Sequence, residues 1–146
     1  MATRVQVALD CADPGALARF WAAALGYEVQ PPPPGHESWE SFLESVGVPP
    51  EDWNSASAVV DPAGVGPRLY FQRVPEGKAG KNRLHLDLNV GGGRAVPLVE
   101  RQQRVEAEVG RLTALGAREL WRGDDERFDE SHVVMADPEG NEFCLQ

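Results

Sequence analysis

The chain has 146 residues, 42 % hydrophobic and 25 % charged, with a formal net charge of −9. That is enough for one domain with a real core, and the acidic balance, with a pI of about 4.8, argues against nucleic acid or an anionic membrane as partner while permitting a cationic ligand. No apolar run approaches the roughly 20 residues of a membrane span, the start Met1-Ala2-Thr3-Arg4-Val5 lacks a signal-peptide apolar region, and Cys11 and Cys144 form neither a disulfide framework nor a zinc spacing, so the expected setting is reduced and cytoplasmic.

Arg4 to Leu9 alternates apolar and polar and predicts a first strand, with Gln6 on its polar face. Asp13-Pro14 starts a helix, Asp13 as N-cap and Pro14 at the first helical position. Leu17, Phe20, Trp21, Ala24 and Leu25 follow at helical spacing, and Gly26 ends the helix as a left-handed cap. Tyr27 to Gln30 is a short second strand. Pro31 to Pro34 cannot join a sheet interior, and they open an insertion over about 31–56. Within it Ser38 to Val46 has helical spacing and Pro49 to Trp53 reads as a turn. A connection this long is usually functional; Trp39 and Trp53 predict an ordered flap, either a lid or a dimer contact. Ala58 to Asp61 is a third strand, Asp61-Pro62-Ala63-Gly64 a turn, and Arg68 to Val74 a fourth strand with Arg68, Tyr70 and Gln72 on its polar face.

Glu76 to Lys81 is a polar linker and the expected midpoint. Asn82 to Val90 then alternates without a break: Leu84, Leu86, Leu88 and Val90 on one face, Arg83, His85, Asp87 and Asn89 on the other. After Gly91-Gly92-Gly93 a second long helix spans roughly Pro97 to Leu115, with Leu98, Val105, Val109 and Leu112 as its apolar stripe and Gly116 as its cap. Ala117 to Trp121 is a sixth strand, Gly123 to Glu130 an acidic loop containing the solvated run Gly123-Asp124-Asp125-Glu126, His132 to Ala136 a seventh strand, Asp137-Pro138-Glu139-Gly140 a turn, and Glu142 to Gln146 the last strand.

The halves match element by element, strand, helix and three strands. Leu25-Gly26 pairs with Leu115-Gly116, and Val60-Asp61-Pro62 with Ala136-Asp137-Pro138. Insertions before the second long helix and after Pro31 explain why no single period fits. A repeat of this length predicts one domain over 1–146, built from repeats at about 4–75 and 82–146. The expected fold is α+β: two βαβββ repeats forming an eight-stranded half-barrel cup with helices outside. Its inner, polar faces read Gln6; Tyr70 with Gln72; His85 with Asp87; and Glu142 with Cys144. Such a concave surface suits a small organic molecule.

Several strings carry a family resemblance: Asp10-Cys11-Ala12-Asp13-Pro14, Phe20-Trp21 with Leu25-Gly26-Tyr27, Lys81-Asn82-Arg83-Leu84-His85-Leu86-Asp87, and Asp137-Pro138-Glu139-Gly140-Asn141-Glu142-Phe143-Cys144. They resemble the vicinal oxygen chelate superfamily of glyoxalases, bleomycin-resistance proteins and ring-cleaving dioxygenases, in its glyoxalase-like branch. The resemblance implies homodimers, and in metal-dependent members one divalent ion (zinc, nickel, manganese or iron) held by one side chain from each of four long strands. Carried across, those positions fall on Gln6, near Tyr70, on His85 and on Cys144, so both expected carboxylates are absent. Asp87 and Glu142 can substitute one pleat away, and Cys144 with His85 favours a softer ion such as zinc.

Two functions follow. In the first, the cup sequesters a cationic or aromatic small molecule, as resistance proteins do, using Gln6, Tyr70, Gln72, His85, Asp87, Cys144 and Trp39 without metal. In the second, a metal at His85 and Gln6 polarises paired substrate oxygens while Glu142 moves a proton beside a carbonyl, giving a glyoxalase-type lyase or isomerase. A metal-free acid–base pair of His85 and Asp87 is a third reading. Each residue also has a plain structural role: Cys144 and Cys11 as buried filler, His85 as a satisfied structural histidine, Asp87 as a partner for His85 or Arg83, Glu142 as a partner for Arg68, and Lys78, Lys81 and Arg83 as a solvated linker, a cluster whose other reading is a contact for an anionic substrate.

Overall fold

The structure, a computed structural model, describes residues 1–125, 127, 128 and 130–146. The chain forms two compact units, Met1–Gly77 and Lys78–Gln146.

The first unit runs β1 (Val7–Cys11), α1 (Pro14–Leu25), β2 (Glu28–Val29), α2 (Trp39–Ser45), a short 3₁₀ turn (Pro50–Asp52), β3 (Ala56–Val60) and β4 (Leu69–Arg73). Its sheet has the order β1-β4-β3-β2, with β1 parallel to β4 and the other pairs antiparallel. The predicted caps of α1 are present. The Asp13 carboxylate accepts the Ala16 N–H at 3.0 Å, and Gly26 takes φ +69°. The helical spacing places Leu17, Phe20, Trp21 and Ala24 on one buried stripe, against sheet residues Val59, Leu69 and Phe71, each at most 1 % exposed. Burying each large apolar side chain contributes about 1.5–3 kcal/mol. The first strand starts later than expected: Val7 pairs with Leu69 and its N–H reaches the Arg68 carbonyl, so Arg4, Val5 and Gln6 precede the ladder.

The insertion is ordered by polar anchors. Ser38 caps α2, and the Trp39 indole N–H donates to the Gln30 carbonyl at 2.7 Å. Trp53 donates to the Val48 carbonyl, and the Asn54 side chain bridges Asp13 and the Gly15 N–H, each at 2.8 Å. At the turn after β3, Asp61 accepts the N–H groups of Ala63, Val65 and Gly66. A methyl group on Gly66 would lie 1.9 Å from the Tyr27 hydroxyl, so only glycine permits that close approach.

The second unit repeats the pattern: β5 (Asp87–Leu88), α3 (Leu98–Ala114), β6 (Arg118–Asp125), β7 (Glu130–Ala136) and β8 (Glu142–Leu145), in sheet order β5-β8-β7-β6 with β5 parallel to β8. Val105, Val109 and Leu112 of α3 are buried, as are Val133, Met135, Phe143 and Leu145 of the sheet. Thus the fold is α+β, two βαβββ repeats, each a four-stranded sheet with a long helix on its apolar face. No helix among the described residues is long and apolar enough to cross a membrane.

Two further strands, both in the second unit, differ most from expectation. Asn82–Val90 is not a nine-residue strand. Only Asp87 and Leu88 form a ladder, extended by Cys144 N–H to the Leu86 carbonyl and Gln146 N–H to the Leu88 carbonyl, and Leu84 is 71 % exposed. The segment lies at the sheet edge, and its single neighbour β8 is four residues long, so alternation without a partner does not extend the strand. In the opposite sense, β6 continues to Asp125, which pairs with Glu130, where an acidic loop was expected from Gly123. Edge strands tolerate charge because one side faces solvent. Glu126, in the predicted acidic run, and Asp129 lie outside the described residues.

Candidate functional site

In the second unit, parallel pairing sets Asp87 directly opposite Cys144, and His85 lies two residues before Asp87. The His85 Nδ1 is 2.9 Å from the Asp87 carboxylate and 3.7 Å from the Cys144 Sγ. The imidazole and carboxylate are partly open to solvent, while Cys144 is 9 % exposed. Burial, and then the charge and hydrogen bond of Asp87, push the Cys144 thiol up to about 11. At neutral pH it is a protonated thiol, which is a poor nucleophile.

Glu142 leaves the same strand face as Cys144. Burial alone would push its carboxyl up, but the Asn82 N–H and the Lys78 ammonium, both at 3.0 Å from Oε2, outweigh that and hold it at about 2. In this arrangement Glu142 is the ion-pair partner of Lys78, its carboxyl held well below the ordinary value. Its partner is Lys78 and not Arg68, the structural alternative weighed for it, so Lys78 is not merely a solvated linker residue.

The nitrogen of His85, a carboxylate oxygen of Asp87 and the sulfur of Cys144 all lie within 4.8 Å of one another. This mixed N, O, S set fits a borderline ion such as zinc better than a hard one. The set includes one carboxylate, that of Asp87.

In the first unit, Gln6, Arg68, Tyr70, Gln30 and Trp39 are connected. The Arg68 guanidinium donates through Nη1 to Gln6 Oε1 at 2.5 Å and through Nε to Gln30 Oε1 at 2.7 Å, and it lies 5.3 Å from the centre of the Tyr70 ring. Trp39 holds the backbone of the same Gln30. Gln72, on the same face, donates to Asp10 at 2.6 Å. The expected metal ligand Gln6 therefore spends its amide oxygen on a guanidinium, and a second cation at that oxygen would be repelled.

Sequence reasoning passed over Arg68 and Gln30 as site residues, and ranked the Lys78, Lys81 and Arg83 cluster as a solvated linker ahead of a contact for an anionic substrate. The signal for Arg68 was present in its alternation with Tyr70 and Gln72. Gln30 had none, and the partner of Lys78 could not be read, because their contacts are distant in the chain.

Tandem βαβββ units of this kind define the vicinal oxygen chelate class of folds. Within it, the chain belongs to the glyoxalase-like domain family, whose model matches residues 6–146. No curated protein is similar in sequence. Among solved structures, a glyoxalase/bleomycin resistance protein/dioxygenase family enzyme from Burkholderia phytofirmans is similar with a TM-score of 0.60 at 16 % identity, over 96 % of this chain and 94 % of that one. The fosfomycin resistance protein FosX from Listeria monocytogenes, bound to Mn(II) and a dihydroxypropylphosphonic acid, gives 0.60 at 11 % identity, over 100 % and 90 %. TioX from Micromonospora sp. gives 0.53 at 13 %, over 99 % and 97 %. These identities speak to the fold alone.

Proposed function

We propose that this protein binds a small organic molecule on the polar faces of its sheets, as a cytoplasmic, homodimeric, single-domain glyoxalase-like protein of the sequestering kind. One observation carries the reading: the groups most suited to chemistry are already engaged, Glu142 by the Lys78 ammonium and the Asn82 N–H, and Cys144 by burial opposite Asp87. What remains open is recognition chemistry, namely His85, Gln72, the Tyr70 ring and the Arg68 guanidinium, with Trp39 fastened nearby through Gln30. The aromatic ring supports a ligand with a flat apolar part. Two buried cysteines, Cys11 and Cys144, support a reducing compartment, and the sheet edges support pairing of two copies. Thermal-shift screening followed by calorimetry tests it. The expected result is a compound that raises Tm, binds saturably and is recovered unchanged; turnover of that compound would overturn the reading.

A second reading, a divalent-metal-dependent lyase or isomerase, is favoured by the His85–Asp87–Cys144 cluster alone. A bound ion would polarise paired oxygens on a substrate. FosX holds Mn(II) in its structure, which supports metal use within the fold. In this chain His85 and Asp87 would supply the open ligands, and Cys144 would lose its proton on binding.

A further inference from the structure

We propose that Arg68 is the receptor for an anionic oxygen-bearing group (carboxylate, phosphonate or phosphate) on the ligand. The proposal rests on the small-molecule-binding reading above and deepens it. Arg73, Arg94, Arg104, Arg111, Arg122 and Arg127 each face a carboxylate. Arg68 faces none among the described residues. It is half-buried, yet its partners are two neutral amide oxygens, of Gln6 and Gln30, and the face of the Tyr70 ring. A guanidinium carries five N–H donors. The Gln contacts engage Nε and one Nη1 hydrogen and leave the Nη2 group without a partner among the described residues. Amide oxygens fix the orientation of the fork without cancelling its charge. The group is therefore preorganised, and a planar fork of this kind matches a carboxylate or phosphonate.

The surroundings are consistent with a ligand that continues beyond its anion. In the sheet register, Ala8 and Ala58 stand directly opposite Tyr70 on either side, so small side chains flank the ring. Gln30 is held in turn by Trp39, which ties the position of the guanidinium to the insertion. An acidic chain of net charge −9 that leaves a half-buried arginine without a carboxylate has forgone the most available neutralising contact.

The test follows the Arg68 Nε–H resonance by NMR in the full chain during titration with benzoate and, separately, methylphosphonate, with benzamide as the uncharged control. At least one anion is expected to shift that resonance saturably, and the two arms separate carboxylate from phosphonate recognition; benzamide should not. Arg68→Gln should abolish the saturable response at Tyr70, and Arg68→Lys, which keeps the charge but loses the fork, should weaken it about tenfold. Failure of both anions to saturate overturns the proposal, as does unchanged binding to Arg68→Gln, or to Arg68→Lys should the glutamine variant not fold. A neutral or cationic compound that stabilises wild type and Arg68→Gln alike overturns the anion assignment and leaves the binding reading standing. If no compound of any charge stabilises the protein, both fall.

Discussion

The Asp87 carboxylate lies against two neighbours, the His85 imidazole at 2.9 Å and, across the strand pair, the Cys144 thiol. It orients the first, and its charge helps keep the second protonated.

Thiol reactivity should report that charge. In a Cys11→Ala background, alkylation of Cys144 should be slow at neutral pH and rise with a midpoint near 11. Asp87→Asn removes a negative charge that disfavours the thiolate, so the midpoint should fall. A wild-type midpoint at the ordinary 9.0 would contradict the arrangement.

Metal content tests the same three side chains from another direction. Under the metal-dependent reading, protein purified without chelator should carry stoichiometric metal, preferentially zinc. Chelation should then lower Tm, and His85→Ala should empty the site. Unchanged metal content in His85→Ala would place any ion elsewhere.

Acid should act on Glu142. Its folded carboxyl, at about 2, lies below the ordinary 4.5. The stabilisation is therefore complete above 4.5 and is lost as pH falls through about 2. Unfolding curves collected through that window should show a loss for wild type that is smaller in Glu142→Gln. Lys78→Met should raise the carboxyl pKa, and identical acid profiles for wild type and Lys78→Met would refute the ion pair.

The two turn aspartates should differ in weight. Asp137 is 3 % exposed and accepts the N–H groups of Glu139 and Asn141 and the Asn141 side-chain amide. Asp137→Ala should cost about 2–3 kcal/mol, since buried donors lose their acceptor. Asp61→Ala, at a more open turn, should cost less. Denaturant titration of both variants decides it, and equal costs would contradict the burial argument.

At the start of α1, Asp13 both caps the helix and meets Asn54. The Asn54 hydrogen bond first, and then the Ala16 N–H, hold its carboxyl below the usual range. Asp13→Ala should cost about 1 kcal/mol for the cap. A double-mutant cycle with Asn54→Ala should be non-additive, and strict additivity would mean the bridge contributes nothing.

The repeat, both long helices and the caps of α1 were legible because they rest on local chemistry: Asp13-Pro14 before an apolar stripe, and glycine after it; α3 is capped by Leu115, one residue before the expected Gly116. Strand lengths were less legible, because a ladder needs a partner. The alternation in Asn82–Val90 says which way side chains would point, not how many residues find a neighbour, while the charges of Asp124 and Asp125 hid an edge strand. The closeness of His85 and Asp87 could be read from their spacing. The Lys78–Glu142 and Arg68–Gln30 contacts could not, since each joins residues far apart in the chain.

The insertion is pegged at one end by the Trp39 indole on Gln30 and at the other by Asn54 on Asp13. A segment fastened at both feet can exchange the residues along its span while its anchors stay put. Under the small-molecule-binding reading, substitutions there would retune ligand preference, much as a key is recut on an unchanged blank, with the underlying sheet and the start of α1 left intact.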